Sequence, residues 1–265
     1  MDGLSVHFYT VYDWNAKGSA TRFTPDDYYW TLGKCLDIDN VIKSHSTIMD
    51  RTDPNKRISL MVDEWGTWWD QEPGTVPGHL YQQNTMRDAF VAALSLMVFH
   101  QHGDRVKMAN IAQLANVLQA MVLTKEDKMV LTPTYHVFEM FKVHQGASFL
   151  PLQVKASNIV TRDKRVIQTV YATASVNEQG VTHISLANVC LDKSCEVTIN
   201  LNGAYCKEAT GRMLTSGQIT DYNDFDHPYT VRPETYSGMR SGKDVLTLTM
   251  PAKSIVSLEL LPAGK

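Results

Sequence analysis

The sequence predicts an α/β fold that gives way to an all-β one, and three observations carry that reading. Short apolar runs alternate with helix-length segments up to about Gln145, strand-length runs rich in Val, Ile and Thr take over beyond Leu150, and Gly- and Asn-containing turns separate those later runs. The chain has 265 residues, 43% of them hydrophobic and 20% charged, which is enough for one large core or two ordinary ones. The change of character falls between Gln145 and Pro151, so residues 1–148 are expected to form the α/β part and 149–265 the β part.

Leu4 to Tyr9 reads as the first strand. Thr24, Pro25 and Asp27 then supply an N-cap, a proline at the first helical position and an acidic residue in the first turn, predicting a helix that runs to about Met49. Asp50 to Asn55 is a break, and Ile58 to Val62 is a second strand, nearly all apolar as in a sheet covered on both faces. Asn84 is expected to cap a second long helix, in which Met86, Ala89, Phe90, Ala93, Leu94, Met97 and Val98 mark one face and Gly103 the stop. Val106 to about Ala109 forms a third strand, which leads into Asn110-Ile111-Ala112-Gln113 and then into helical sequence that continues to about Val122. In the second part the expected strands are Val166–Val176, His183–Val189, Glu196–Leu201, Leu246–Met250 and Ser254–Leu261. Turns such as Asn177-Glu178-Gln179-Gly180 point to hairpins and an antiparallel sandwich.

Composition excludes several classes. The 25 basic and 28 acidic residues are mixed along the chain and leave a net charge of −3, so there is no basic stripe for nucleic acid or an anionic membrane. The longest apolar stretch, Phe90 to Phe99, falls well short of the roughly twenty residues that span a bilayer, and reads as one side of a soluble helix. Met1-Asp2-Gly3-Leu4 carries no export signal, which leaves cytoplasm or periplasm open for a parent protein. Cys35, Cys190, Cys195 and Cys206 are too few and too unevenly placed for a disulfide scaffold; Cys190 and Cys195 could pair across a hairpin, buried free thiols being the commoner outcome. Metal is not expected. His100 and His102 lack a third ligand at useful spacing, the cysteines lack zinc spacing, and no phosphate loop, serine elbow or dinucleotide fingerprint that would call for a cofactor occurs.

Loops that follow parallel strands gather at one rim, and that is where the candidates lie. Glu64, in the run Val62-Asp63-Glu64-Trp65-Gly66, follows five apolar strand residues and is either paired within the fold or exposed at its mouth as a catalytic acid. Trp65, Trp68 and Trp69 crowd it with flat surfaces of the kind that grip sugar rings, or else they are core packing. His7 and Tyr9 are two apart on a strand and share a face; they suit orientation of a carboxylate, and equally a hydrogen-bonded core pair. Gln113 suits a pair of sugar hydroxyls or a cap on its own backbone.

Several stretches agree with a known family in the same order: VDEWGTWWD, PGHLYQQNTMRDAFVAAL, DRVKMANIAQLANVLQAM, TPTYHVFEMFKVHQGA, ATGRMLTSGQITDYNDF and LTLTMPAKSIVSLEL. Together they resemble the C-terminal part of the α-L-arabinofuranosidases of glycoside hydrolase family 51. The resemblance implies a partial (β/α)8 barrel, about strands 6 to 8, followed by a jelly-roll-like β-sandwich. It implies retaining hydrolysis of terminal non-reducing arabinofuranosyl residues without a cofactor. By the same match Glu64 is the nucleophile, Tyr9 orients it, Trp68 and Gln113 line the arabinose pocket, and His7 supports them. The family's acid/base, in an Asn-Glu pair after the fourth barrel strand, has no counterpart: the only Asn-Glu here, Asn177-Glu178, falls in a sandwich turn. The chain is therefore expected to be inactive alone and to self-associate or pair with an N-terminal barrel portion. The competing readings are a non-catalytic carbohydrate-binding or structural piece, and a related activity on xylosides or glucans.

Overall fold

A computed structural model describes residues 1–202, 206–242 and 244–262, without the side chains of Cys206 and Lys207. Its first part is a parallel sheet. The strands β1 (Gly3–Thr10), β2 (Ser59–Thr67) and β3 (Val106–Ile111) lie side by side in that order, connected through α1 (Pro25–Cys35) and α2 (Asp37–Thr52) and through α3 (Met86–Gln101). Parallel neighbours need such crossovers, because no short turn returns a chain to the same end of a sheet.

The Thr24 cap forms as read: its Oγ1 accepts from the Asp27 N–H, and the Asp27 carboxylate accepts from the Thr24 N–H at 2.9 Å. The single helix expected to follow is broken at Leu36. The break coincides with Asp37 turning to bond Lys34 (3.1 Å) and Arg165 (3.0 Å). Gly33, just before it, lets the β-part pack close, since a Cβ there would lie 3.2 Å from Arg165 Cδ. The second strand runs on past Val62 to Thr67. The cap of α3 is Thr85 rather than Asn84, paired with Asp88 in a capping box.

Two further expectations change. The helix α3 is not amphipathic: Arg87, Asp88, Val91, Ala92, Ser95 and Phe99 are buried along with the expected apolar face, because the sheet covers one side and the β-part another. Residues 112–121 do not continue as a helix. Asn116 (φ 62°) and Leu118 (φ 51°) adopt left-handed backbone that no right-handed helix accommodates, and a hairpin of β4 (Val122–Lys125) and β5 (Lys128–Leu131) follows. The last helix, α4 (Pro133–Phe141), is capped by Thr132.

Strand β6 (Ser148–Phe149) already pairs with the β-part. After a small hairpin, β7 (Asn158–Val160) with β8 (Val166–Gln168), come β9 (Val170–Val176), β10 (Thr182–Asn188), β11 (Cys195–Asn200), β12 (Cys206–Thr215), β13 (Glu234–Thr235), β14 (Met239–Ser241), β15 (Val245–Met250) and β16 (Ser254–Pro262). The expected strand 166–176 is thus two, parted at Thr169, whose N–H turns to the Ser157 carbonyl (2.8 Å). Six strands in the order β13-β12-β16-β10-β9-β6 face a three-stranded sheet β11-β15-β14, and Leu186, Leu246, Leu248, Met250 and Leu258 fill the space between. The Asn177-Glu178 turn joins β9 to β10, the Asn177 side chain accepting from the Gln179 and Val181 N–H groups. Cys35, Cys190 and Cys195 are free thiols, and the Cys206 side chain lies outside the described residues.

The two parts share a core. Leu32, Trp65, Phe90 and Leu94 pack in one cluster with Ala187, Val189, Leu214 and Ile255. His100 and His102, the pair considered for metal, diverge into different contacts: His102 meets Asp39 at 2.6 Å, while His100 turns to Thr173 and stands 4.8 Å, ring to ring, from His144. His144 is buried between Ser175 (2.7 Å) and Ser185 (2.9 Å).

Burial lowers His100 to about 4, and burial with the neighbouring His100 and His183 lowers His144 to about 3. An unfolded imidazole titrates near ~6.5. Between that value and about 4 the unfolded chain binds more protons than the folded one, so stability is expected to fall as pH is lowered through this window and to be unaffected above it. Urea midpoints at pH 7, 5.5 and 4.5 check this. Replacing His100→Gln is expected to flatten the slope by up to ~1.4 kcal/mol per pH unit, and identical slopes would refute the assignment.

Candidate functional site

The sheet has one face on the helices and one away from them. Val6, Phe8, Leu60, Val62 and Trp65 pack into the helical core, so by strand alternation Ser5, His7 and Tyr9 point the other way. Strict alternation would send Asp63 to that second face and Glu64 back into the core. The register prevents this. Ser5 pairs with Met61 but His7 with Glu64, and Val62 pairs with Ala109 but Trp65 with Ile111, so β2 carries one extra residue between Val62 and Trp65 against both neighbours. This is a β-bulge, and it turns Asp63 and Glu64 to the same side.

Both carboxylates meet β1 there. Ser5 Oγ donates to Asp63 Oδ1 at 2.7 Å, His7 Nε2 lies 3.3 Å from the same oxygen, and His7 Nδ1 lies 3.4 Å from Glu64 Oε2. The Tyr9 hydroxyl donates to Glu64 Oε1 in a short contact. Burial first, then the hydrogen bond to Glu64 and its charge, push the Tyr9 phenol above its usual range, so it remains an O–H donor. Glu64 keeps 37% of its side chain exposed. A carboxylate held at both oxygens yet open to solvent can act as a nucleophile or as an ion-pair partner for a bound cation.

The tryptophans separate. Trp65 is 1% exposed and packs on Phe99 and Phe138, and Trp69 is 4% exposed with Nε1 bonded to Asp88, so neither reaches the open face. Trp68 does reach it, 5.0 Å from the Tyr9 ring, with Lys17 Nζ 5.9 Å above it. Sequence reading missed Trp14, which stands 5.6 Å from Trp68 and 6.5 Å from Tyr9, ring to ring, and is 58% exposed. Asp63 was read only as part of the strand-end run, since the sequence gives no sign of the bulge that turns it to the side of Glu64. Gln113 sits exposed in the loop after β3 and makes no described contact to Glu64. The glutamine buried beneath the site is Gln119, whose side chain accepts from the Thr67 N–H (2.8 Å) and donates to the Asp88 carbonyl (2.7 Å). Gly66 makes that approach possible, with φ 147° and the Gln119 side chain 3.4 Å from where a Cβ would stand.

Asp88 organises what lies below. Its Oδ1 accepts from Thr67 Oγ1 and Trp69 Nε1, both at 2.8 Å, and its Oδ2 from the Thr85 N–H (2.8 Å) and Oγ1 (3.1 Å). Beside it Arg87 is buried between the rings of Phe23 (3.7 Å) and Trp69 (3.6 Å) and donates to the Ala20 carbonyl at 3.0 Å. The loops after β1 and β2 are therefore anchored, not free. Among the described residues no group of three or more His, Cys, Asp or Glu side chains is placed to hold a metal ion, and no helix is long and apolar enough to cross a membrane.

A family model for the alpha-L-arabinofuranosidase C-terminal domain matches residues 63–254. The chain belongs to this family. It is 57% identical over 261 residues to an intracellular exo-alpha-L-arabinofuranosidase of Bacteroides ovatus, a match covering 98% of this chain and 51% of that protein. The GH51 arabinofuranosidase from Xanthomonas axonopodis pv. citri superposes with a TM-score of 0.95 at 44% identity, covering 98% of this chain and 53% of that one. An arabinose complex of the Thermotoga maritima enzyme, at 23% identity and TM-score 0.79, shares the fold. The chain thus spans about half the length of the relatives it matches, and its fold is a partial (β/α)8 barrel followed by a β-sandwich.

Replacing Asp88→Ala strands the Thr67, Trp69 and Thr85 donors in a buried place. It is expected to cost about 3–5 kcal/mol, read as a lowered urea midpoint at unchanged m-value; a loss below about 1 kcal/mol would show that the network is dispensable.

Proposed function

We propose that these residues carry the nucleophile half of a retaining α-L-arabinofuranosidase site, which releases terminal non-reducing α-L-arabinofuranosyl residues from arabinan- or arabinoxylan-type oligosaccharides. The observation that carries the reading is the placement of Glu64 on the open face, with Tyr9 on one carboxylate oxygen and His7 beside the other. Glu64 attacks the anomeric carbon as the glycosidic C–O bond breaks, giving a covalent arabinosyl-enzyme with inverted configuration. Water then displaces the carboxylate with a second inversion, and the net outcome is retention. Tyr9 fixes which oxygen attacks. His7, held by Asp63, keeps the other oxygen from turning away. Trp68 offers a flat wall to the sugar, and Gln113, on the loop after β3, is assigned to sugar hydroxyls at the rim. Residues 1–148 supply the barrel portion and 149–265 the sandwich. The names of the relatives, which call them exo-acting arabinofuranosidases, support the same substrate.

A retaining mechanism needs a second carboxyl group about 5–5.5 Å from the first, protonated to assist the leaving oxygen. Asp63 is committed to Ser5 and His7, and Glu178 lies in the sandwich turn. The acid is therefore assigned to a barrel segment outside these 265 residues, pairing with the edges of β1 and β3, where Leu4 and Met108 are 40% and 41% exposed.

The complete enzyme is expected to lose activity on a chromogenic arabinofuranoside by on the order of 10⁴-fold or more on Glu64→Ala. Azide is expected to restore turnover while producing the β-configured arabinosyl azide. Restoration without azide adducts, or full activity of the variant, removes Glu64 from the role. Replacing Tyr9→Phe is expected to cost about 10- to 100-fold, the worth of one hydrogen bond to a charged group. The 265 residues expressed alone are expected to be inactive and to gain turnover when the remaining barrel segment is supplied in trans; normal turnover without it would refute the assignment of the acid.

A further inference from the structure

The loop after β1 holds an aromatic ring that the nucleophile's own neighbourhood does not need. Trp14 is 58% exposed, although a tryptophan gains more than most side chains from burial. Its backbone is fixed from several directions. Asp13 Oδ1 accepts from the Asn15 N–H at 2.7 Å, and Lys17 Nζ donates to the Trp14 carbonyl at 2.8 Å. Four residues on, Gly18 and Asp70 are joined reciprocally: the Gly18 N–H donates to Asp70 Oδ2 at 3.0 Å and the Asp70 N–H to the Gly18 carbonyl at 2.9 Å. The buried Arg87 then holds the Ala20 carbonyl at 3.0 Å. An exposed indole on a tethered loop is a surface prepared for a ligand, because little conformational entropy remains to be lost when one binds.

Its place says which part of a ligand. Glu64 lies within β2, Tyr9 near the end of β1, and Trp68 just beyond the end of β2, while Trp14 stands further along the loop past Thr10. Of the two indoles Trp68 is the nearer to the Tyr9 ring (5.0 Å) and Trp14 the farther (6.5 Å), so Trp14 is the outer one as seen from the residue bonded to Glu64. A sugar seated for attack by Glu64 has its glycosidic oxygen leading away from the strand starts, since only the loop side of the parallel strands opens outward. Resting on the reading of Glu64 as nucleophile, we infer that Trp14 is the platform for the leaving group: the sugar ring joined to the arabinosyl unit through the scissile oxygen. It stacks the apolar face of that ring, with Trp68 as the edge-on wall between the two rings (77° to Trp14). Trp14 thereby sets a preference for saccharide over small leaving groups.

The test uses the complete enzyme and two substrates, an α-L-arabinofuranosyl disaccharide and α-L-arabinofuranosyl fluoride, whose leaving group is a single atom that reaches no platform. In the Trp14→Ala variant the ratio of kcat/KM for the disaccharide to that for the fluoride is expected to fall by about 10- to 100-fold. Trp14→Phe, which keeps a flat ring, is expected to recover most of the ratio. Trp14→Leu, which fills space without a flat face, is expected to behave as alanine does and stands in for it if the alanine variant does not fold. A ratio unchanged within about 2-fold, whether both rates drop or neither does, overturns the inference. A wild-type enzyme inert toward the fluoride would sink the reading of Glu64 and this inference together, whereas normal fluoride turnover with an unchanged ratio sinks this inference alone.

Discussion

The carboxylate of Asp88 joins the first turn of α3 to the end of β2, and the geometry of the open face depends on it. One oxygen takes the Thr85 cap, and the other takes Thr67 and Trp69, the residues on either side of Trp68. A buried carboxylate is tolerated only when its lone pairs are met, and here four donors meet them. With Thr67 fixed by Asp88 and Gln119, the strand carrying Glu64 cannot slide without breaking bonds in a water-poor core, where each costs most. With Trp69 fixed by its indole N–H, Trp68 is left facing the other way by strand-like alternation.

On that fixed strand the bulge decides which way Glu64 points. In an unbulged β2, Glu64 would alternate into the helical core among Val6, Phe8 and Val62, where an ionised carboxylate without partners is costly by several kcal/mol. The extra residue brings Asp63 and Glu64 out together and lets Trp65 resume its place inside, against Phe99 and Phe138. His7 then stands between the two acids, its Nε2 3.3 Å from Asp63 and its Nδ1 3.4 Å from Glu64.

Much of this was legible in the sequence, and the failures share a cause. The alternation of strands and helices, the Thr24 cap and the common face of His7 and Tyr9 all follow from local rules, because period and capping chemistry are properties of neighbouring residues. The placement of Trp65, Trp68 and Trp69 was not legible: three indoles in five residues look alike until the bulge fixes the parity of the strand. The helix predicted from beyond Gln113 to about Val122 failed because Asn116 and Leu118 take left-handed backbone in a loop whose neighbours are distant in sequence. The apolar periodicity of α3 was real but incomplete, since Arg87 and Asp88 are buried through partners on loops that no periodicity reveals. Trp14 was passed over for the same reason; its meaning comes from Tyr9 and Trp68, not from the residues beside it.

The β-sandwich also takes part in holding the strand that carries Glu64. The first N–H groups of a helix have no partner within the helix, and at α3 the sandwich provides two: the Met86 N–H donates to the Asp221 carbonyl at 2.9 Å and the Arg87 N–H to the Ile219 carbonyl at 3.2 Å, beside a bridge between Thr85 and Tyr222. The same turn carries Asp88, and Asp88 holds β2. Removing the sandwich would uncover the back of α3 and leave those donors bare at the point from which the Glu64 strand is anchored. A module that merely carried the barrel would be joined to it at the linker and the surface. One that caps the helix anchoring the Glu64 strand is part of that strand's scaffold, in keeping with the core cluster that joins α3 and β2 to Ala187, Val189, Leu214 and Ile255 of the sandwich.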